Sequence, residues 1–358
     1  MDIVLYVFDK NADLVTEIFA SEIKEAYYEE EINKPRTLYA TFIWREDDNI
    51  PRYLAHQDVY NPEIIRLYYI RTIERDDEFL VSESIEAAYD DLGNTPILED
   101  RRPRKESIYD IFNQIILKNS DWQLGHVDPK PDEEYSVNIY YSSALTAIKK
   151  FMNLGLEFDF TADITNGKIS NKKINIYYQI GEDRGKRYHY GDNLLHAKKQ
   201  QNKDEIYTAI TPTGRKEEFT NEYGVTTLGY NITIKDVSWS KADGDPVDKP
   251  LGQTYIELPE ATKVYGLPNG KPRMGFLKYP DEDSRENLMK LAYKDLLRYS
   301  KPQVKFTANV RDTGDVNLGD TVSIIRDDIG IRYKTRIFKR TVTLKDPVKA
   351  EGSVNYGE

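Results

Sequence analysis

The chain has 358 residues, 39% of them hydrophobic and 31% charged, and it contains no cysteine. This length exceeds the size at which a single hydrophobic core stops growing, so two to four domains are expected. The lack of cysteine excludes disulfides, thiolate metal ligands and a cysteine nucleophile. No window approaches the roughly 18 uninterrupted apolar residues of a membrane-spanning helix, so the sequence predicts no membrane span.

The net charge is −11, from 50 basic and 61 acidic residues. Proteins that hold nucleic acid neutralise phosphates with lysine and arginine, so this balance argues against stable DNA binding. An acidic surface that lined a channel would instead let a phosphate chain pass without sticking. The 27 tyrosines are typical both of half-buried strands and of interfaces.

The first 98 residues are predicted to be mainly strands, because β-branched and aromatic runs alternate there with turn residues. The predicted strands are Ile3–Phe8, Leu38–Trp44, Ile65–Ile73 and Phe79–Ser84, with a hairpin turn at Glu74–Glu78. A short helix is predicted over Ile85–Leu92, ending at Gly93.

Residues 99–194 differ from the first 98 because helical patterns appear among the strands. Glu99–Lys105 is predicted to be an exposed boundary, because its proline and flanking acids outweigh its four basic residues. Two helices with one apolar face follow, the first capped by Ser107 and the second spanning Ser143–Met152. Strands are predicted at Leu156–Phe160 and Ile174–Ile180, so this segment is predicted to be an α/β unit.

Strands return after residue 204. Val237–Pro280 is rich in glycine and proline and is predicted to form short strands and long loops. A helix with an acidic first turn at Asp283 and Glu286 is predicted to end at Tyr299. The predicted strands on either side are Ile206–Thr211, Thr227–Ile234, Val304–Val310, Thr321–Arg326 and Arg332–Leu344.

No residue pattern indicates catalysis or a metal site. The four histidines, His56, His126, His189 and His196, do not cluster at ligand spacing, and His126 with Asp128 lacks a third ligand. Carboxylate pairs are expected by chance among 61 acidic residues. These pairs are Asp47–Asp48, Asp90–Asp91 and Asp327–Asp328. No catalytic residue, metal ligand or cofactor is therefore predicted.

The run Ile180–Leu195 is the most informative stretch. Its glycines lack the strand-to-helix setting of a phosphate-binding loop, so they are interpreted as turn positions that need a positive φ. This run, the following segment Asn202–Gly214 and a later Leu-Gly-Asp-Thr-Val segment resemble motifs of the tail hub family of long-tailed phages and prophages, also called tail-associated lysins or prophage endopeptidase tail proteins. The residues that match are Gly181, Asp183, Gly185, Tyr190, Gly191, Asn193, Pro212, Gly214, Leu318, Gly319, Asp320 and Val322.

Two further patches, Tyr69–Leu92 and Trp122–Asp128, fit the family in the right order, so the resemblance covers roughly residues 60–358. It implies a fold that is mainly β with α+β insertions, similar to the baseplate hub of contractile-tail phages, with two related β barrels. The first barrel would be residues 1–98, and the second 195–236 with 299–358. The insertions would be 99–194 and 237–298.

The resemblance implies a structural hub at the virion tail tip, assembled as a homotrimer in the cytoplasm of the bacterial host. Its partners would be the distal tail protein ring, the tape-measure protein and receptor-binding or other baseplate components. DNA would pass through it without stable binding, and the hub would close or gate the channel. Two alternatives remain, an enzyme that cleaves the cell wall and a carbohydrate-binding adhesion module. A lysin domain is expected only in a segment downstream of the hub.

Overall fold

The computed structural model describes residues 4–45, 51–75, 78–96, 98–190, 192, 194–202, 206–220, 226–301, 303–310, 316–329, 331–344 and 352–357. These residues are mainly in strands, as predicted. The contacts group the chain into two compact units. Unit 1 contains residues 1–135, 139–199 and 306–357, and unit 2 contains residues 136–138, 200–305 and 358.

The first strands of the chain are Val4–Phe8 (β1), Leu14–Phe19 (β2), Ile23–Glu31 (β3), Thr37–Ile43 (β4), Tyr53–Gln57 (β5), Ile65–Arg75 (β6), Phe79–Glu86 (β7), Glu106–Ser107 (β8), Gln123–Val127 (β9), Glu134–Tyr135 (β10), Glu157–Thr165 (β11), Lys168–Tyr177 (β12), Asp183–His189 (β13) and Leu194–Asn202 (β14). The later strands are Ala209–Thr220 (β15), Thr226–Thr233 (β16), Ile256–Glu257 (β17), Met274–Lys278 (β18), Gln303–Val310 (β19), Thr321–Arg326 (β20), Ile331–Thr343 (β21) and Gly352–Gly357 (β22).

The helices are Ala87–Gly93 (α1), Ile108–Asp110 continued by a π-helical segment at Ile111–Ile116 (α2), Ala144–Asn153 (α3), Pro259–Tyr265 (α4) and Arg285–Tyr299 (α5). Serine caps begin three of them, because each hydroxyl accepts a backbone hydrogen bond in the first turn. Ser107 accepts from the Asp110 nitrogen at 3.1 Å and Ser143 from that of Thr146 at 3.3 Å. In α5 the cap is Ser284, which accepts from Asn287 at 3.2 Å, one residue beyond the predicted start. The longest of these helices has 15 residues, and none in the described ranges is both long and apolar enough to cross a bilayer.

Unit 1 is organised around one large twisted sheet. Its main strand order is β14-β19-β22-β21-β3-β4-β7-β6-β11-β12-β9, so β21 near the end of the chain pairs directly with β3 near its start. Among the described strands no closed barrel is traced, and the two-barrel arrangement and the four-segment division stay predictions. The core under this sheet is made by alternating apolar residues such as Tyr28, Phe42 and Leu54.

Several strands were not predicted because their side chains are too polar. In β3 polar residues alternate with a buried set that consists of Ala26, Tyr28 and the charged Glu30, so its pattern does not read as apolar and polar in turn. The glycine run was interpreted only as turns, but residues 183–189 form β13, which pairs in parallel with β20. The ladder has a register irregularity between Asp183 and Arg187, and Gly185 lies inside it with φ +70°. A glycine in this conformation is typical of a β-bulge.

Unit 2 has a four-stranded sheet covered by α5. β15 pairs antiparallel with β16 and β17 and parallel with β18. The apolar face of α5 packs on this sheet through Leu288, Met289, Ala292 and Leu296. The long Gly- and Pro-rich segment contains two short strands, as predicted, and also α4, whose start at Pro259 suits the first turn of a helix.

Candidate functional site

The two glycine motifs of the sequence meet in unit 1, where they form a contact that we call the glycine junction, residues 180–185 and 317–322. Gly181 has φ +87° and Gly319 has φ +85°. A Cβ atom on Gly181 would lie 2.2 Å from the carbonyl carbon of Gly319, and one on Gly319 would lie 2.1 Å from the oxygen of Ile180. Two separate features therefore favour glycine at each position: the positive φ, and the opposite backbone, which leaves no room for a Cβ atom.

Asp320 closes the glycine junction. Its carboxylate is 2% exposed and accepts hydrogen bonds from the backbone nitrogens of Glu182 and Asn317, both at 2.8 Å. The nitrogen of Thr321 donates to the oxygen of Glu182 at 2.9 Å, which begins the parallel pairing of β13 with β20. The neighbouring motif residues Leu318 and Val322 are buried in the core. These motif residues thus connect strands.

An ion pair that the sequence did not reveal crosses the same junction. Arg336 binds Glu157 through two hydrogen bonds, Nη1 to Oε1 at 2.7 Å and Nη2 to Oε2 at 2.6 Å. Its Nε donates to the Gly319 oxygen at 2.9 Å, and Glu157 Oε2 accepts from the Ile180 nitrogen at 2.7 Å. Bidentate arginine–carboxylate pairs fix geometry as well as charge. No local pattern marks either residue, because they lie 179 positions apart.

The remaining motif residues of unit 1 lie at the rim. Asp183 accepts from the Gly185 nitrogen at 3.1 Å. A hydrogen bond from Lys334 holds the pKa of Asp183 below its ordinary value. The guanidinium of Arg326 lies 4.1 Å from the ring centroid of Tyr190. Gly191 and Asn193, also predicted from the motif, lie outside the described residues.

Two motif residues, Pro212 and Gly214, belong to β15 of unit 2 instead. Pro212 lies opposite Leu277 in the parallel ladder with β18. A Cβ on Gly214 would lie 2.5 Å from the Ile232 side chain and 2.6 Å from the Glu282 oxygen. Gly214 therefore allows a close backbone approach within unit 2.

Beneath the glycine junction lies a group of buried charges that we call the ion cluster. Its members lie in or next to seven strands of unit 1: Glu30, Arg36, Asp58, Arg66, Glu86, Asp159 and Arg340. Arg36 Nε donates to Glu30 at 2.9 Å, and its two Nη atoms bind Glu86 and Asp159. Arg66 donates to Asp58 at 2.8 Å and to Asp159 at 2.7 Å. Arg340 completes the cluster by binding Glu30.

The ionisation of these carboxyls is set by two opposing effects. Burial disfavours the charged form of Glu30, but Arg340 and Arg36 outweigh it and hold its pKa below the ordinary value. Asp159 behaves in the same way, with Arg66 and Arg36 lowering its pKa against the effect of burial. For Glu86 burial wins over Arg36, and its pKa is raised.

A polar cleft of about 240 Å³ separates the ion cluster from the glycine junction. Its walls include Arg66 and Arg340 from the cluster, and Gly181, Leu318 and Asp320 from the junction. The cluster carboxylates already accept hydrogen bonds from arginines, and the backbone holds Asp320. The arrangement is therefore suited to holding strands together.

Among the histidines whose side chains the structure describes, His56 and His126 have separate partners. His56 is buried between Tyr28 and Tyr68, and its Nε2 lies 3.1 Å from the Tyr68 hydroxyl. Burial lowers the pKa of His56 to about 4. His126 Nε2 lies 2.6 Å from Asp128 Oδ1, so those two side chains do interact as a pair. Across the residues that the structure describes, no three His, Asp or Glu side chains are grouped so that they could hold a metal ion.

The carboxylate pairs that the sequence offered are also engaged elsewhere. Asp91 accepts from Trp122 Nε1 at 3.0 Å and from Lys172 Nζ at 2.8 Å. Asp327 accepts from Arg332 at 3.1 Å, while its neighbour Asp328 binds Arg326. The pair Asp47–Asp48 lies outside the described residues.

Comparison with known proteins gives one family and one fold. Residues 182–353 match the family described as prophage endopeptidase tail. No curated protein matches the chain. The fold is similar along the whole chain to the prophage tail protein gp18 of Listeria monocytogenes, with TM-score 0.62, 12% identity and 94% of that chain covered. It is also similar to the 43 kDa tail protein of prophage MuSo2 from Shewanella oneidensis, with TM-score 0.60, 12% identity and 98% covered. A tail protein of Neisseria meningitidis gives TM-score 0.58, 11% identity and 97% covered. In all three comparisons 100% of this chain is covered.

Proposed function

Because residues 182–353 match the prophage endopeptidase tail family, we propose that this chain is a structural hub protein of a phage or prophage tail tip. The observation that carries the proposal is the use made of the family-motif residues. Gly181 and Gly319 touch through their backbones, and Asp320 accepts backbone hydrogen bonds. Residues used in this way specify an architecture, as expected for a structural component.

We propose further that the hub is a homotrimer with two related barrels in each subunit. Three subunits with two similar domains each would offer six quasi-equivalent contacts to a sixfold distal tail ring. The tape-measure protein and the receptor-binding components would contact other faces. The hub would close the tail channel and open it for DNA ejection. The acidic balance of the chain favours a conduit along which DNA slides.

The test of assembly is the mass of the purified protein in solution, measured by light scattering and native mass spectrometry, alone and with the distal tail protein. A trimer has three times the 41.6 kDa of the chain. A particle that stays at the monomer mass in both samples would contradict the trimeric hub. The same samples serve for DNA binding by anisotropy with a labelled duplex at about 150 mM salt, where we expect no micromolar binding.

The alternative function, cleavage of the cell wall, is suggested by the family description alone. We propose that residues 1–358 do not carry this activity. The test is release of dye from labelled peptidoglycan of several hosts. Release above buffer that one Asp or Glu substitution abolishes would favour the enzyme over the structural hub.

A further inference from the structure

Two neighbouring tyrosines stand out from the surface of unit 1. Tyr140 is 63% exposed and Tyr141 is 62% exposed, and their rings lie 4.9 Å apart at 88°. The two rings therefore form an open corner, because their planes are almost perpendicular and both rings are exposed to solvent. Aromatic side chains in other parts of unit 1, such as Phe112 and Phe151, pack against each other in the core instead.

Backbone hydrogen bonds hold the chain on both sides of Tyr140 and Tyr141. Arg101 and Ile139 exchange two hydrogen bonds of 2.8 Å on one side, and Leu98 and Ser142 exchange bonds of 2.9 and 3.2 Å on the other. Ile139 itself is fully buried. Tyr141 has φ +39°, a conformation that costs a non-glycine residue of order 1 kcal/mol and that the surrounding backbone bonds must maintain. The backbone under the two rings is thus fixed by hydrogen bonds on both sides, which lowers the entropy cost of ordering this segment on binding.

The segment opposite, which is joined to the tyrosine segment by two isolated bridges, supplies polar groups of both signs. Glu99, Asp100, Arg101 and Arg102 are all exposed, and Arg102 binds Asp100 through two hydrogen bonds of 2.9 and 3.0 Å. We call these four residues and the two tyrosines the tyrosine tip. Two acids and two bases leave the tip without net charge. A phosphate chain gains affinity from an excess of basic groups, which is missing here.

The size of the tip decides between a small ligand and a protein. A tyrosine side chain offers about 150–250 Å² in all, so two rings exposed by three-fifths present roughly 200–300 Å². A stable protein interface needs about 800 Å² from each partner. One or two sugar rings match the smaller area. The apolar C–H face of a pyranose packs on an aromatic ring, and its hydroxyls bind carboxylates and guanidinium groups.

We propose that the tyrosine tip binds an uncharged glycan, with the sugar stacked on the rings of Tyr140 and Tyr141. The hydroxyl groups of the sugar are bound by the charged residues of the opposite segment, Glu99–Arg102. This function is separate from the hub role and stands or falls independently of it.

The experiment uses the full chain and two probes, an array of bacterial surface polysaccharides and chitotriose followed by saturation-transfer NMR. We expect binding to at least one glycan, and we expect the double variant Y140A/Y141A to weaken it at least about fivefold. The double variant Y140F/Y141F keeps the rings and should stay within about twofold of the natural chain. Tyr230→Ala is the matched control, because Tyr230 is 90% exposed but belongs to unit 2.

Three results would overturn the proposal. The first is no binding of any array glycan or of chitotriose. The second is binding that Y140A/Y141A leaves intact or that Tyr230→Ala reduces equally. The third is a change of mass in solution for Y140A/Y141A at unchanged melting temperature, because this would make the tip a contact between proteins.

Discussion

At the scale of single residues, the most demanding positions are the glycines of the glycine junction. Gly181, Gly185 and Gly319 share a positive φ between +70° and +87°. Their surroundings differ, because a Cβ at Gly185 would meet nothing within 4 Å, whereas one at Gly319 would overlap the Ile180 carbonyl. The chain therefore provides a control for separating backbone conformation from close approach.

We expect Gly319→Ala to lower the free energy of unfolding by about 3 kcal/mol or more, because the neighbouring backbone must move. Gly185→Ala has only the conformational cost and should lose about 1 kcal/mol. Urea titration of both variants measures the difference. Equal losses in the two variants would show that the contact between Gly181 and Gly319 contributes nothing.

His56 makes the second prediction at this scale. Its folded pKa of about 4 lies below the ordinary 6.5, so the unfolded chain binds the proton first as the pH falls. Stability contributed by neutral His56 is complete above about pH 6.5 and is lost down to about pH 4, by roughly 3 kcal/mol. The variant His56→Gln should lose less stability across this window. Unfolding by urea at pH 7 and pH 5 measures it.

The matched control is Gln57→Ala, because the Gln57 side chain lies beside His56, is exposed and carries no titratable group. This variant should keep the pH dependence of the natural chain. If His56→Gln keeps it as well, the loss between pH 7 and pH 5 does not come from His56. Glu30 and Asp159, whose pKa values are lowered, make stability fall only at lower pH, below their ordinary values of 4.5 and 3.8.

At the scale of elements, α5 shows how one helix face stabilises unit 2. Its first turn is capped by Ser284, and its apolar residues recur at helical spacing over the sheet of β15. Two adjacent leucines of α5 differ in burial. Leu296 is fully buried, and Leu297 is 45% exposed.

Leu296→Ala should lower the free energy of unfolding of unit 2 by about 2–5 kcal/mol, because it removes buried methyl groups and leaves a cavity. Leu297→Ala should cost less than about 1 kcal/mol. Both variants replace one leucine of α5 by alanine, so a difference in stability measured by differential scanning calorimetry reports only the position of the leucine. A larger loss for Leu297→Ala would mean that the helix faces the sheet differently.

At the scale of the whole molecule, unit 1 combines segments that are far apart in the sequence. Arg340 on β21 binds Glu30 on β3, and Arg336 binds Glu157 on β11. Unit 2 is inserted between β14 and β19, which are neighbours in the sheet of unit 1. Insertions between neighbouring strands leave the host unit with its own complete core.

We expect a variant in which a short Gly-Ser linker replaces residues 200–305 to keep a folded unit 1. It should unfold cooperatively and retain the pH dependence assigned to His56. Circular dichroism and urea titration measure both. A variant that stays monomeric but lacks cooperative unfolding would show that unit 1 depends on the inserted residues.

The sequence by itself determined the mainly β class, the cap at Ser107, and the positive φ of Gly181 and Gly185, because each depends on a few neighbouring residues. It also contained the motifs from which the family was predicted, which the match over residues 182–353 confirms. Only the tertiary structure decided that Gly181 meets Gly319, that three arginines share four buried carboxylates, and that β3 and β13 are strands. Most of these features depend on residues far apart in the sequence, such as Arg36 and Asp159 at 123 positions and Arg340 and Glu30 at 310. Local patterning has no information on such contacts, since a polar strand becomes stable only through the partners that pair with it and cover it.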